Sequence, residues 1–292
     1  MDSGILNVAK PVGISSFSAV QMIGRLPGID KVGHGGTLDP AADGVLPILV
    51  NAATRLAEFV HVWPKTYLAT VAFGKTSDTY DREGTILGGG ATTGVTAEHI
   101  VAELPAFTGR IEQVPPMFSA LKQAGEPLYR KARRGETVAR AARPVEVHAL
   151  RLLDYDDATA IGRLEIVSGQ GLYVRSLAHD LGQRLGCGAY LAALTRSRYG
   201  PLLIDDALSP AAMSADAGGW VKRLLPMDLP LAAWPALRLD EADATAIGQG
   251  RSIAAGDVVA ARVRLLDGRG TLLGWGTVDA DRRIQPRAVF PR

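Results

Sequence analysis

Between residues 4 and 185 the chain alternates, without a fixed period, between short runs of strand character and segments of helical spacing. Gly4–Ala9 reads as a strand and Lys10-Pro11-Val12-Gly13 as a turn. Ser15 or Ser16 then caps a helix reaching about Leu26, with Phe17, Val20, Ile23 and Leu26 at helical spacing. Residues 31–44, KVGHGGTLDPAADG, form a Gly-rich loop before the apolar run Val45–Val50. Tyr67–Phe73, Val145–Leu153 and Ile161–Val167 have strand character. Thr96 caps a helix that Pro105 ends near Leu104, and Leu172–Leu185 is a helix that Gly186 stops. Such irregular alternation excludes a repeated βαβ unit and predicts an α+β fold around a central mixed sheet.

After Pro226 and Pro230 the character changes. Short β-like runs (Val258–Leu266, Thr271–Val278, Ala288–Phe290) are separated by Gly and Asp. They predict a small β-rich domain of about sixty residues, near the lower size limit for folding alone. The boundary falls within 228–235, giving domains 1–228 and 229–292. No internal repeat is visible, and Gly88-Gly89-Gly90 reads as a loop tip.

Hydrophobic residues make up 47% of the 292 and charged residues 21%, which excludes a disordered chain. No apolar run is long enough to cross a bilayer as a helix. Met1-Asp2-Ser3-Gly4 does not open a secretory signal, so a cytoplasmic location is expected. The single cysteine, Cys187, excludes an intrachain disulfide framework and a cysteine-rich metal site. The histidines have no metal-ligand spacing, so no metal is expected. Neither GK[ST] nor GxGxxG is present, so no nucleotide cofactor is indicated. The net charge of +2 is too weak to argue for nucleic acid, but its distribution says more. Residues 122–143 hold seven basic groups (Lys122, Arg130, Lys131, Arg133, Arg134, Arg140, Arg143) against two acidic ones, Glu126 and Glu136. This segment is either a solvated face or a polyanion-binding surface.

Two stretches are candidates for chemistry. In Gly33-His34-Gly35-Gly36-Thr37-Leu38-Asp39-Pro40 the glycines permit tight turns and close approach of a ligand. Asp39 is either a turn device or a catalytic carboxylate. His34 either contacts a nucleotide or satisfies loop backbone groups. In Gly169-Gln170-Gly171-Leu172-Tyr173-Val174-Arg175 a strand gives way to a helix. The planar fork of Arg175 suits a carboxylate or phosphate, or an ordinary surface ion pair. Tyr67 shares a strand face with Ala69, Val71 and Phe73, where packing is the default role.

Together these stretches resemble one family. GHGGTLDPAADG resembles the TruB-family tRNA pseudouridine synthase pattern GHxGxLDPxAxG. LNVAKPVGISS at 6–16, GKTSDTYDREG at 74–84 and GLYVRSLAHDLGQRLGCGAYLAALTR at 171–196 follow in the family's order, as do PPMFSALK at 115–122 and LYRKARRG at 128–135. The resemblance spans about residues 4–200, and the C-terminal region more weakly resembles a PUA-like RNA-binding appendage. It departs from the family at Ala9, where Asp is frequent, at Leu172 for Thr, and at Phe118 for Tyr.

The resemblance implies a pseudouridine synthase fold and isomerisation of uridine 55 in the TΨC loop of tRNA, by flipping the base and rearranging its glycosidic bond. It makes Asp39 the catalytic carboxylate, Arg175 its partner, and Tyr67 the residue that stacks on uracil and assists proton removal at C5. His34, Tyr173 and Leu194 are implied to line the uridine site. Lys10 would support its framework, and Asp81 would make a structural contact. The basic segment corresponds to the family's RNA-contacting insertion, with Arg130, Lys131, Arg133 and Arg134 expected on phosphates. No cofactor, membrane or obligate protein partner is implied, and a monomer acting on the T-arm of tRNA is expected. A non-catalytic RNA-binding module would explain the basic segment but not Asp39 and Arg175 alongside Tyr67. A glycoside hydrolase would need a second placed acid, and neither Asp43 nor Asp78 is independently supported.

Overall fold

A computed structural model describes residues 2–119, 121–123, 125–216 and 218–290, and the Lys122 side chain lies outside the described residues. The strands β14 (Leu225–Pro226), β1 (Gly4–Lys10), β3 (Asp43–Val50), β12 (Ala189–Tyr199), β4 (Lys65–Phe73), β11 (Ile161–Ser168), β10 (Arg143–Asp156) and β7 (Gly109–Gln113) lie side by side in that order. Two short strands complete the sheet: β2 (Val32–His34) on β3, and β13 (Leu202–Leu203) on β12. All pairings are antiparallel except β3 with β12, which run parallel at Thr195↔Asp43 and Arg196↔Gly44. The sheet is therefore mixed and the class α+β.

Alternation decides which side of the sheet is core. On β4 the residues Lys65, Tyr67, Ala69, Val71 and Phe73 are buried, while Leu68 between them is 41% exposed. The buried face packs under α3 (Ala97–Glu103) and α5 (Val174–Arg184), whose Ile100, Val174, Leu177, Ala178 and Leu181 join one apolar cluster. A second cluster joins α1 (Ser16–Ile23) and α6 (Pro210–Ala215) to β1 and β3 through Ala19, Val20, Ile23, Met213 and Trp220. Ser15 caps α1 by accepting from the Ser18 amide (3.0 Å), and Thr96 caps α3 from the His99 amide (3.3 Å). α1 stops at Ile23, a turn earlier than its spacing predicts, because Gly24 N–H still bonds Val20 but the chain then tightens around Leu26.

The large sheet ends with β14, and a second sheet begins at β15 (Ala236–Arg238). Its order is β15, β17 (Arg262–Leu266), β18 (Leu272–Val278), β19 (Arg283–Val289), β16 (Ile253–Ala254), with α7 (Glu241–Gly248) packed on it. The run expected from Val258 starts as a strand only at Arg262, and Val259 is 88% exposed. β19 is longer than the expected Ala288–Phe290, since ladder bonds carry Arg283, Gln285 and Pro286 that composition would not place in a strand. This sheet docks on α2 (Ala57–His61) through Phe59, whose ring meets Trp234 and Trp275 edge-on at 5.2 and 5.3 Å. Arg55 ties the same seam, donating to the Val289 carbonyl at 2.6 Å.

Gly88-Gly89-Gly90 is not a free loop tip. It follows β6 (Ile86–Leu87), which pairs with β5 (Thr76–Ser77), and Gly90 N–H bonds the Cys187 carbonyl at 2.7 Å. A Cβ on Gly89 would lie 2.1 Å from the Gly74 carbonyl, so packing rather than freedom explains that glycine.

Gly44 joins β3 to β12 with φ +114°, and a Cβ there would fall 2.2 Å from the Arg196 carbonyl oxygen. Gly44→Ala should therefore lower the unfolding free energy by at least about 2 kcal/mol, from strain plus overpacking. Urea unfolding monitored by tryptophan fluorescence checks this, with an unchanged midpoint as the contrary result.

Candidate active site

The loop 35–42 is folded back on itself by groups from outside it. Ser16 Oγ donates to the Leu38 carbonyl (2.9 Å) and accepts from the Leu38 amide (2.8 Å), while Gly13 N–H bonds the Pro40 carbonyl (2.8 Å). From the other side Arg196 donates to the carbonyls of Gly36 (3.0 Å), Thr37 (3.2 Å) and Val45 (2.7 Å), and the Tyr199 hydroxyl donates to Gly35. Much of the backbone of an irregular loop is thus paired within the protein. A side chain on Gly36, at φ +157°, would meet the Tyr199 hydroxyl at 2.8 Å.

This loop presents Asp39 to Arg175 in the first turn of α5. The pair closes at 2.9 Å through Arg175 Nε. Arg175 is only 5% exposed and is not a surface ion pair. Its Nη1 lies 3.3 Å from Asp81 Oδ2 and donates to the Thr79 carbonyl (3.3 Å), and its Nη2 donates to the Phe118 carbonyl (3.0 Å). Asp81 is held in turn by Thr79 Oγ1 (2.6 Å) and the Glu83 amide (3.0 Å). The start of α5 is pinned by Gln113, which accepts from the Tyr173 amide (2.8 Å) and donates to its carbonyl (3.0 Å).

A cleft of about 720 Å³ opens over the pair. Asp39, Tyr67, Tyr173, Arg175 and Leu194 all line it, as does Asp81. Lys10 and His34 do not. Lys10 is 1% exposed beneath the turn it precedes, donating to the carbonyls of Pro11 (2.8 Å) and Ile14 (2.9 Å). Burial lowers its pKa to about 8 against the opposing pull of Asp43 and Asp39. His34 is the last residue of β2, and its Nδ1 accepts from the Gly36 amide at 3.2 Å. That bond needs a neutral ring, and burial accordingly pushes the His34 pKa down. Both residues support the loop from behind.

The cleft also takes in His61, Lys65, Arg196 and Tyr199, which motif reasoning passed over. Cross-strand register explains the arrival of Lys65, Arg196 and Tyr199, while His61 comes from the end of α2. Arg196 pairs with Tyr67 and Tyr199 with Lys65, and a bulge between Arg196 and Arg198 lets residues three apart face one side. The legible signal was alternation: Lys65 lies two residues before Tyr67.

Of the basic segment, α4 (Leu128–Arg133) brings Tyr129 and Arg133 to the cleft rim, the guanidinium 5.6 Å from the ring centre. Arg130 and Lys131 lie outside the lining. Arg134 is already engaged with Glu126 (2.6 Å) and Glu136 (2.7 Å), so it is a poor phosphate ligand as it stands. The hairpin before α4 joins β8 (Lys122–Gln123) to β9 (Glu126–Pro127). Among the described residues no group of three or more His, Cys, Asp or Glu is placed to hold a metal ion. No helix among them is long and apolar enough to cross a membrane.

The model of the TruB family pseudouridylate synthase N-terminal domain matches residues 24–174, and that of the pseudouridine synthase II TruB C-terminal region matches 235–290. The chain belongs to the TruB family. It is 42% identical to tRNA pseudouridine synthase B of Aromatoleum aromaticum over 98% of this chain and 92% of that one. The enzyme of the same name from Thiobacillus denitrificans is also 42% identical, over 98% and 95%. Solved structures share the fold at lower identity. A Cbf5-Nop10-Gar1 complex chain aligns with TM-score 0.72 and 23% identity over 99% of this chain and 85% of its own. An H/ACA RNP bound to a substrate RNA containing 2′-deoxyuridine aligns at 0.73 and 20%, with the same coverage. Asp39, Tyr67 and Asp81 fall inside the matched N-terminal range, while Arg175 is the first residue beyond it.

Burial raises the Asp39 pKa above the usual carboxylate range, Arg175 opposes the rise, and Asp81 adds to it. Arg175 therefore does not win outright, contrary to what pairing alone would predict. A native pKa above the unfolded one means that the native state keeps its proton to higher pH. The resulting stability cost is absent below about pH 4 and complete above the raised pKa. Asp39→Asn should then melt no lower than the parent near pH 7, with any gain vanishing towards pH ~4. A melting temperature clearly below the parent at pH 7 would show that the ion pair outweighs burial.

Proposed function

We propose that this chain converts uridine 55 in the TΨC loop of tRNA to pseudouridine. The observation that carries the reading is the Asp39–Arg175 pair at 2.9 Å, set in a cleft whose wall is Tyr67. The relatives' shared name, tRNA pseudouridine synthase B, supports the substrate.

Isomerisation breaks the bond from uracil N1 to ribose C1′, turns the base, and joins C5 to C1′. Atoms and electrons balance without a redox partner, so the reading needs no cofactor. A stacked uridine must leave its loop to reach a carboxylate placed inside a cleft. The 720 Å³ space is ample for one nucleoside. Asp39 acts at the sugar, and Arg175, held by two backbone carbonyls and Asp81, aims it and offsets part of the cost of its charge. Tyr67 stacks on the extruded base, with Tyr173 and Leu194 bounding it. Lys10 and His34 act indirectly by holding the loop.

The tRNA T-arm lies across α4 in this reading, with Arg130, Lys131 and Arg133 on phosphates. Residues 1–228 carry the chemistry, and residues 229–292 extend the RNA contact as a PUA-like domain. The chain works as a monomer in the cytoplasm.

Asp39→Asn keeps the side-chain size and removes the charge. Its single-turnover yield on a T-arm stem-loop should fall to background while binding stays within about tenfold, roughly 1.4 kcal/mol. Near-normal pseudouridine formation by this variant, verified free of deamidation, would sink the assignment. Tyr67→Phe should bind RNA normally but lose most product, whereas Tyr67→Leu should weaken binding as well. A fully active Phe variant would leave Tyr67 a stacking role alone.

Phosphate contacts release counterions, so binding should weaken steeply with salt. Changing Arg130, Lys131 and Arg133 together to Gln should flatten the log–log salt slope by roughly one to two units. An unchanged slope with normal affinity would make α4 a solvated face.

A further inference from the structure

The cleft floor holds two cations that the reading above leaves without a task in the chemistry. Lys65 is 5% exposed and Arg196 1%. Among the described residues neither forms an ion pair. Arg196 is immobilised by its three loop carbonyls. Lys65 donates to the His61 carbonyl at 2.6 Å and lies 4.7 Å from the Tyr199 ring centre. An ammonium has three N–H donors, and these contacts engage two directions. Burial and the like charge of Arg196 lower the Lys65 pKa to about 8. Two buried cations side by side, with no carboxylate between them, raise the energy of the empty site, and an electron-rich ligand would offset that cost.

Position says which part of the ligand they meet. Lys65 and Tyr67 are two apart on β4 and face the same way, opposite Tyr199 and Arg196. Asp39, Asp81 and Arg175 form a second, mutually paired group of charges in the cleft. RNA phosphates run over the outer surface, whereas an extruded base is the part inserted deepest. A base lying on Tyr67 with its sugar at Asp39 would turn a carbonyl edge towards Lys65.

We propose that Lys65 is a further catalytic residue, donating a hydrogen bond to a uracil carbonyl oxygen and, with the fixed charge of Arg196, stabilising the negative charge the base acquires as its bond to C1′ breaks. This rests on the pseudouridine reading. The electron pair of the N1–C1′ bond passes into the ring and spreads onto O2 and O4. It does so on both routes open to Asp39, attack at C1′ and removal of the 2′ proton. The charge returns to the sugar when C5 bonds C1′, and the C5 proton then leaves to a base. A donor aimed at developing charge inside a water-poor site is worth far more than one in water.

The test is single-turnover chemistry at saturating T-arm stem-loop, with uridine or 5-fluorouridine at the target position. Fluorouracil is the better leaving group and needs less help to depart. Lys65→Gln should slow the uridine substrate by about 10²-fold with affinity within about threefold, and Lys65→Arg should recover most of the rate. With 5-fluorouridine the Gln deficit in bond cleavage should shrink about tenfold. If Gln does not fold, Lys65→Met keeps the buried stem without the charge and gives the same comparison. An equal deficit on both substrates, or a loss confined to affinity, would overturn the proposal. A parent chain that forms no pseudouridine overturns the underlying reading as well, while an active parent with equal deficits overturns this inference alone.

Discussion

The guanidinium of Arg175, buried between Asp39 and Asp81, is the interaction on which the architecture converges. A charge in that position is tolerable only if it is paired and hydrogen-bonded. Its partners come from three stretches outside α5: the loop at 39, the turn at 79–81, and the carbonyl of Phe118. Each must be placed by its own device. Ser16 and Arg196 fix the loop, Thr79 and Glu83 fix Asp81, and Gln113 fixes the start of α5. Removing the guanidinium would leave two carboxylates facing each other with nothing between them.

At Asp39 burial opposes the charge and Arg175 supports it, so the pair depends on the structure that holds it. The apolar cluster spanning β4, β11, α3 and α5 provides the rigid body against which the pair is held. The same sheet face carries Lys65, Tyr67 and Ala69 opposite Tyr199, Arg196 and Leu194, so a single bulged ladder orders the cleft. Aromatic surface, apolar wall and cations are thereby set at spacings that a loop alone would not maintain.

The α+β class and the main elements were legible because alternation and capping act locally: Thr96 caps the predicted helix, and Tyr67, Ala69, Val71 and Phe73 share the predicted face. Asp39, Arg175, Tyr173 and Leu194 were legible through motif resemblance, and the cleft gathers them. Alternation alone puts Lys65 on the face of Tyr67, but its meeting with Arg196 and Tyr199 was not legible, because it depends on strand register and a bulge, which no local pattern encodes. His34 was expected to line the uridine site, but its ring bonds the Gly36 amide behind the loop, and Lys10, which was expected to support the framework, bonds the Pro11 and Ile14 carbonyls. Arg134, expected on phosphate, is paired at the surface with Glu126 and Glu136, which a count of basic residues does not register. The Gly88–Gly90 run was misread for a similar reason, since its neighbours at Gly74 and Cys187 are distant in sequence.

The central claim is that this cleft isomerises a tRNA uridine without losing the base. Mapping pseudouridine in an unmodified tRNA transcript after incubation with the parent chain, while assaying free uracil, tests it most directly. The account predicts pseudouridine at position 55 and no released uracil. An unmodified transcript, or free uracil with an abasic site, would contradict it.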